Sequence, residues 1–406
     1  MSSAALVAKI EQDSAAERAA GGPGTAVLAL SLRDFRNYTA LQLQLTGAPV
    51  VLTGANGAGK TNILEALSFL SPGRGLRRAK LSEVTRHDGG TRWAVHAEIA
   101  AFVGAISVGT GLAEPAGEDE GGERRVVRLN GEAAPSANGL SEYLDVVWLT
   151  PQMDRLFVEG VSTRRRFMDR LVYGLDGGHA RQVAAYERAM RERNRLLKAG
   201  IGKTAGADPV WLDALESQMA EHGIAVAAAR RDGLARIEAA MALAAGPFPA
   251  ARLNAQGGVE AWLAEMPALA AEERFRRLLA ERRGYDREAG AAAEGPHRSD
   301  MAVWHAGKGQ AAEQCSTGEQ KALLIAITLA NARLIRARRQ AAPLMLLDEV
   351  SAHLDARRRE ALYDELLVLG GQVWLTGTDE SLFAGLAGRA QFFGVADGVV
   401  TPPLVH

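Results

Sequence analysis

Three short stretches carry residue types whose spacing could do chemistry. Gly54-Ala55-Asn56-Gly57-Ala58-Gly59-Lys60-Thr61 is a complete G-x-x-x-x-G-K-[ST] phosphate loop. Its glycines let backbone N–H groups converge on phosphate oxygens without Cβ obstruction, and a following helix points its positive end at the same place. Lys60 is placed to neutralise β- and γ-phosphate charge and the Thr61 hydroxyl to bind Mg2+, and the run through Asn62 is the candidate nucleotide cradle. The second stretch, Leu344-Met345-Leu346-Leu347-Asp348-Glu349, is an apolar run ending in two carboxylates. Asp348 fits a metal ligand, directly or through water, and Glu349 fits the general base that polarises an attacking water. A lone Asp-Glu pair after a core strand is commonly an acidic helix cap, but a phosphate loop in the same chain favours the catalytic reading.

The third stretch is Ser316-Thr317-Gly318-Glu319-Gln320-Lys321. Ser316 with Glu319 three residues on is a capping box. Ser316 and Gly318 at a helix start also make an anion-binding nest. The two readings are compatible: a well-capped helix whose start faces a γ-phosphate. One loop already holds the nucleotide, so a second nest suits the far side of a nucleotide shared with a second subunit.

The elements that must carry these groups follow from hydrophobic spacing. Residues 26–32 form a short apolar strand, 34–38 a turn, and Leu41, Leu43 and Leu45 alternate as a strand does. Residues 49–53 make a buried strand that runs into the phosphate loop, and Ile63, Leu64, Leu67 and Leu70 recur at helical spacing behind it. Alternation over 93–108 breaks at Gly109, an acidic Gly-rich turn spans 117–122, and strand character resumes over 124–129 before the hairpin signal Asn130-Gly131. An antiparallel sheet beside the nucleotide-binding unit is expected. After Thr150-Pro151 the chain is helical over 162–245, with Asp208-Pro209 as cap and first turn, and again over 259–283. Residues 301–304 are strand-like, 322–338 read as an amphipathic helix, and 372–376 as a strand followed by a polar turn at Thr378. No internal repeat and no long heptad run is visible.

Composition bounds the class. The chain has 406 residues, 47% of them hydrophobic and 23% charged, which excludes a wholly disordered or fibrous chain. Its length predicts two domains, or one domain with a large insertion. Lys plus Arg is 47 against 48 for Asp plus Glu, so any nucleic-acid-binding surface must be a local one. Residues 162–203 hold 11 Lys/Arg and 4 Asp/Glu, a surplus of 7 (11 less 4). Within them Arg188, Arg191, Arg195 and Lys198 are spaced to share one helical face. Arg74, Arg77, Arg78 and Lys80 form a second cluster. Each is a candidate DNA contact or, equally, a solvated charged surface. No base-reading motif accompanies them, so binding to phosphate and shape is expected. The single cysteine, Cys315, forms no internal disulfide and no thiol-rich metal site, which suits a reducing cytoplasm. Residues 1–25 lack the features of a signal peptide and read as an Ala/Gly-rich extension expected to be mobile. No run of about 18 apolar residues reads as a membrane span.

The phosphate loop, the S-x-G-E-Q stretch, the apolar strand ending in Asp348-Glu349, the Ser351-Ala352-His353-Leu354-Asp355 loop and the strand before Thr378 together resemble an ABC-type ATPase head. In detail the chain resembles the RecF family of bacterial DNA repair and replication proteins. The resemblance is carried by Leu32-Arg33-Asp34-Phe35-Arg36-Asn37-Tyr38, the loop itself, Gly73-Arg74-Gly75-Leu76-Arg77, Thr150-Pro151, Arg164-Arg165-Arg166-Phe167-Met168-Asp169, Gly295-Pro296-His297-Arg298 and Ser316 to Lys321, in that order. Ser316 follows Thr61 by 255 residues (316 less 61), longer than the usual transporter spacing and far shorter than an SMC coiled coil.

This resemblance implies an α/β fold: an ABC-type P-loop ATPase head over 26–150 and 295–406, with a mixed sheet and an antiparallel subdomain, and an inserted helical lobe over 151–294. It implies ATP and Mg2+ as cofactors, an ATP-dependent homodimer on gapped or duplex DNA, slow DNA-stimulated hydrolysis, and help in loading RecA through RecR, in the cytoplasm and without a membrane partner. It further implies that Asp355 acts at the dimer interface, that Thr378 stands at a γ-phosphate-sensing position where many ABC heads have histidine, and that Gln152 senses metal and nucleotide. Thr317 replaces the first glycine of the transporter signature, which speaks against transporter-like turnover. The alternative is a transporter-type ABC subunit coupling hydrolysis to a membrane partner. A third reading is a clamp in which ATP binding is the switch and hydrolysis the reset.

Overall fold

The computed structural model describes residues 24–88, 91–114, 123–199, 208–244 and 246–401. The expected extension lies, up to residue 23, outside the described residues, and so does the expected acidic turn at 117–122. The chain divides into two units. One holds the described residues of Met1–Met153, Ala245–Phe248 and Ala332–His406, the other those of Asp154–Ala244 and Pro249–Asn331.

The first unit opens with β1 (Ala26–Phe35), β2 (Tyr38–Gln44) and β3 (Val50–Thr53), and the phosphate loop leads into α1 (Lys60–Ser68). β1 outlasts the expected apolar run because Phe35 continues the buried face beyond Leu32, leaving a turn of only Arg36-Asn37. After α2 (Leu81–Val84) come β4 (Ala94–Ala101), β5 (Gly104–Leu112), β6 (Arg125–Leu129), β7 (Glu132–Ala133) and β8 (Val146–Leu149). Gly109 does not break the pattern. It sits inside β5, paired with His96 on one side and Arg128 on the other, and the break falls instead between Ala101 and Gly104. Asn130 (φ 51°) and Gly131 (φ 86°) make the left-handed hairpin turn their types favour. The antiparallel sheet expected here runs in the order β2-β1-β4-β5-β6-β7.

The second unit begins with three helices, α3 (Val161–Tyr173), α4 (His179–Ala199) and α5 (Pro209–Ala242). Asp208 caps α5 by accepting the Val210 N–H at 3.0 Å, with Pro209 in the first turn as expected. Then come β9 (Ala251–Gln256), α6 (Gly258–Glu265), α7 (Ala268–Glu281), α8 (Arg283–Ala289), β10 (Asp300–His305), β11 (Gln310–Ala311) and the long α9 (Thr317–Arg339). The stretch read as one helical segment over 259–283 is thus divided, with Pro267 as the N-cap of α7.

This lobe is not wholly helical. β9 is not among the expected strands, yet Ala251, Leu253 and Ala255 alternate buried with exposed neighbours and pair with β10 in a three-stranded sheet, β11-β10-β9. The strand at 301–304 therefore belongs to the second unit, and the unit boundary falls inside α9 rather than at residue 295. Nor is α9 amphipathic: every residue over 320–332 is buried. The core of this unit gathers Tyr186, Met219 and Phe275. Beside it Arg193, fully buried, bonds Glu216 at 2.9 Å, Asp286 at 2.7 Å and the Leu279 carbonyl at 2.7 Å.

The first unit resumes with the end of α9, then β12 (Leu344–Leu347), α10 (Ala356–Leu369), β13 (Val373–Gly377), β14 (Gln391–Ala396) and β15 (Val399–Thr401). These strands complete a second six-stranded sheet, β15-β14-β3-β13-β12-β8, parallel except for β15. Leu- and Val-rich runs such as Leu344–Leu347 and Val146–Leu149 suit strands covered on both faces. One apolar core joins the two sheets and α1, with Phe35, Phe69 and Trp93 packed ring to ring.

Candidate functional site

In parallel sheets the C-terminal ends of adjacent strands open onto a crevice where ligands bind. Here β3, β13, β12 and β8 are neighbours in that order. The phosphate loop leaves β3, Thr376 is the next-to-last residue of the wholly buried β13, Asp348-Glu349 follow β12, and Gln152 follows β8. The register pairs Leu347 with both Leu375 and Leu149, which sets Asp348 beside Thr376.

The loop is shaped by close approach. Gly54 has φ 152°, and a Cβ there would meet the Val395 carbonyl at 2.0 Å. At Gly59 (φ 117°) a Cβ would meet the Tyr38 hydroxyl at 2.6 Å. The β1–β2 turn braces the loop from outside: the Tyr38 hydroxyl donates to the Gly59 carbonyl at 3.2 Å and the Asn37 amide to the Ala58 carbonyl at 3.3 Å. Asn62 in turn donates to the Asn37 side chain at 2.7 Å.

Lys60 is 4% exposed, and its ammonium donates to the Gly54 and Ala55 carbonyls at 2.7 and 2.8 Å. Burial lowers its pKa, while the charges of Glu349 and Asp348 act to raise it. The Thr61 hydroxyl lies 2.9 and 3.0 Å from the two Asp348 oxygens, and the Thr376 hydroxyl donates to Asp348 Oδ1 at 2.7 Å. Burial raises the Asp348 carboxyl pKa, and those two hydroxyl bonds oppose the rise. Glu349 is half-buried with φ 52° and donates its N–H to Thr376 Oγ1 at 2.9 Å. A hydroxyl and a carboxylate in mutual contact are a hard oxygen donor set, the chemistry that suits Mg2+. The arrangement can hold a phosphate chain with a divalent cation and present a carboxylate next to it.

Behind the loop, Glu65 is fully buried on α1 between Arg36 (2.7 and 2.8 Å) and Arg77 (2.7 Å). Arg77 also donates to Asn62 at 2.6 Å. Arg77, expected among the DNA contacts, is therefore tied to the phosphate-loop helix, whereas Arg74, Arg78 and Lys80 are exposed. Arg125, unremarked in the sequence, donates to the Phe69, Ser71 and Gly73 carbonyls and so pins the segment that leads into this cluster.

Three further candidates are exposed. Gln152 is exposed on the turn Pro151–Arg155, and Thr378 is exposed beyond β13. The polar residue of β13 that touches Asp348 and Glu349 is Thr376, which sequence spacing did not single out. Asp355 is exposed and caps α10, accepting the Arg358 N–H at 2.9 Å.

In the second unit, Ser316 and Gly318 are exposed at the start of α9. The expected capping box forms there, with the Ser316 N–H donating to Glu319 at 3.0 Å and the Glu319 N–H to Ser316 Oγ at 3.4 Å. Its bond from Lys308, then those from Ser316, hold the Glu319 carboxyl down to about 2. Arg188, Arg191, Arg195 and Lys198 are all exposed on α4, although Arg191 reaches Glu187 at 3.5 Å and Arg195 reaches Glu192 at 2.5 Å. The charge surplus counted along the sequence is not all available at the surface. Arg193 is interior, and Arg164 forms a two-pronged pair with Asp300 at 2.7 Å.

Residues 26–386 match the family model described as RecF/RecN/SMC N terminal domain. The chain is 50% identical over 381 residues to the DNA replication and repair protein RecF of Mesorhizobium japonicum, spanning 93% of this chain and 98% of that one. It is likewise 50% identical over 375 residues to the DNA replication and repair protein RecF of Brucella suis biovar 1, with 92% and 95% covered. Among solved structures, its fold is similar to that of the recombination mediator protein RecF with ATP from the RecFOR pathway. There the TM-score is 0.80 at 21% identity, over 94% of this chain and 98% of the other.

Proposed function

The chain belongs to the RecF family of the RecF/RecN/SMC N-terminal domain proteins, and from that premise we propose that it is an ATP-dependent DNA-binding protein of replication and recombinational repair. The observation that carries this reading is the meeting of Thr61 and Asp348 at 2.9 Å beside the phosphate loop, in a chain half identical to named RecF proteins over nearly its whole length. The names of those relatives favour the repair reading over a transporter-type subunit.

In this reading the loop from Gly54 to Asn62 cradles the phosphates of ATP, with Lys60 exchanging its loop carbonyls for phosphate oxygens. Thr61 and Asp348 would hold Mg2+, which supplies charge neutralisation across the phosphates when bound. Glu349 is the general base that orients and deprotonates the attacking water. Gln152 and Thr378, both at the rim, join only once nucleotide is bound. Ser316 and Gly318 of a second copy meet the γ-phosphate from the far side, and Asp355 lies at the same junction, so ATP joins two protomers. Arg74, Arg78 and the α4 face of Arg188, Arg191, Arg195 and Lys198 bind DNA phosphates, while Arg77 holds α1 in place. The pair then hydrolyses ATP slowly, faster on DNA, and assists RecA loading with RecR in the cytoplasm.

Sedimentation of the purified protein with and without ATP and gapped DNA tests this. A dimer that forms with ATP and co-sediments with DNA supports it. A protein that stays monomeric and off DNA at saturating ATP refutes it.

A further inference from the structure

We propose that Thr376 is a positioning residue for hydrolysis, its single hydroxyl fixing at once the carboxylate of Asp348 and the backbone of Glu349. The inference rests on the reading of Glu349 as general base and deepens it.

Thr376 is 1% exposed and lies on β13, where the register with β12 sets it beside Asp348. Its hydroxyl donates to Asp348 Oδ1 at 2.7 Å and accepts the Glu349 N–H at 2.9 Å. A hydroxyl has one proton to give and lone pairs to receive, so both bonds are made together. Glu349 needs such a hold: its backbone is left-handed (φ 52°, ψ 22°), a conformation that L side chains rarely adopt. With that backbone pinned to a central strand, the direction in which the Glu349 carboxylate leaves the chain is set.

Asp348 has a second hydroxyl partner, Thr61. If Thr61 turns to a metal ion, Thr376 is the partner that keeps the carboxylate oriented. The pairing also links the two acidic roles, because one hydroxyl touches both residues. Thr378, two residues on, is exposed.

Thr376→Val keeps the shape and strand preference of the side chain and removes only the hydroxyl. It should retain ATP binding, with KM within about twofold of the parent, and lose roughly ten- to a hundredfold in kcat, the range for one hydrogen bond to a charged group. Thr376→Ser should recover most of the rate. In a Glu349→Gln background the valine should add less than about twofold, since the two changes act on one step.

An unchanged kcat in Thr376→Val beside an active parent overturns the proposal, as does a loss shared equally by nucleotide affinity and rate that serine does not rescue. A parent protein that binds ATP but never hydrolyses it overturns the reading of Glu349, and this proposal with it.

Discussion

The hydroxyl of Thr61 and the carboxylate of Asp348, 287 positions apart, lie within 2.9 Å of each other. The pairing joins the first turn of the phosphate-loop helix to the end of a central strand, and Thr376 on the next strand holds the same carboxylate. A cluster of side-chain oxygens is thereby assembled from three separate segments of the chain.

Lys60→Ala removes the buried cation of this loop. Nucleotide affinity should fall about a hundredfold or more, since each hydrogen bond to a charged group is worth roughly 1.5–3 kcal/mol. Titration with a fluorescent ATP analogue measures it. Affinity within a few-fold of the parent would remove Lys60 from the phosphate site.

Glu349→Gln keeps the shape of the side chain but cannot accept a proton from water. Hydrolysis should drop on the order of a hundred- to ten-thousandfold while ATP binding persists. Light scattering should then report a stable dimer at saturating ATP. A monomer under those conditions sinks the shared-nucleotide arrangement.

Replacing Arg188, Arg191, Arg195 and Lys198 together by Ala should weaken duplex binding and flatten its dependence on log salt by up to about 3.6, near 0.9 for each phosphate no longer neutralised. The fall should be smaller than that if Arg191 and Arg195 stay engaged with Glu187 and Glu192. An unaltered salt slope would mean that α4 does not face DNA.

Arg193→Met takes the ion-pair partner from two buried carboxylates: among the described residues Glu216 keeps Arg283 and Asp286 keeps the Ala293 N–H. Breaking a buried ion pair by removing one partner costs about 3–5 kcal/mol. The urea midpoint of the second unit's transition should drop accordingly, whereas Arg195→Met on the exposed face should leave it within experimental error.

Burial pushes the Asp145 carboxyl up to about 6 despite its bond from Arg339 at 3.1 Å. Its folded pKa lies above its unfolded one, so the folded state binds the extra proton, and stability declines as pH rises from about 4 to about 6. Asp145→Asn removes that decline. Relative to the variant, the parent should lose up to roughly 2–3 kcal/mol between pH 4 and pH 7. Chemical denaturation at the two pH values checks it, and parallel stability curves would discount the effect.

Much of this molecule was legible residue by residue. The phosphate loop, the strand before it, the helix after it, the acidic end of β12, the Asp208 cap and the Asn130-Gly131 turn all depend on backbone preferences and hydrophobic spacing within about ten residues. A linear pattern carries that information completely. β9 escaped notice because Ala251, Leu253 and Ala255 are small or isolated, and only pairing with β10, more than 40 positions on, makes a strand of them.

Charge was harder still. Arg193 and Arg195 look alike in sequence, yet one is interior and the other exposed, because only the fold brings Glu216 and Asp286 around the first. The same holds for Thr376 and Thr378. Which hydroxyl reaches the acidic pair is set by how β13 slides against β12: the register brings Thr376 beside Asp348, and only a slide of two residues would bring Thr378 there instead. Local chemistry is written in neighbouring residues, but register and burial come from segments tens to hundreds of positions apart, and these exist only once the chain has closed on itself.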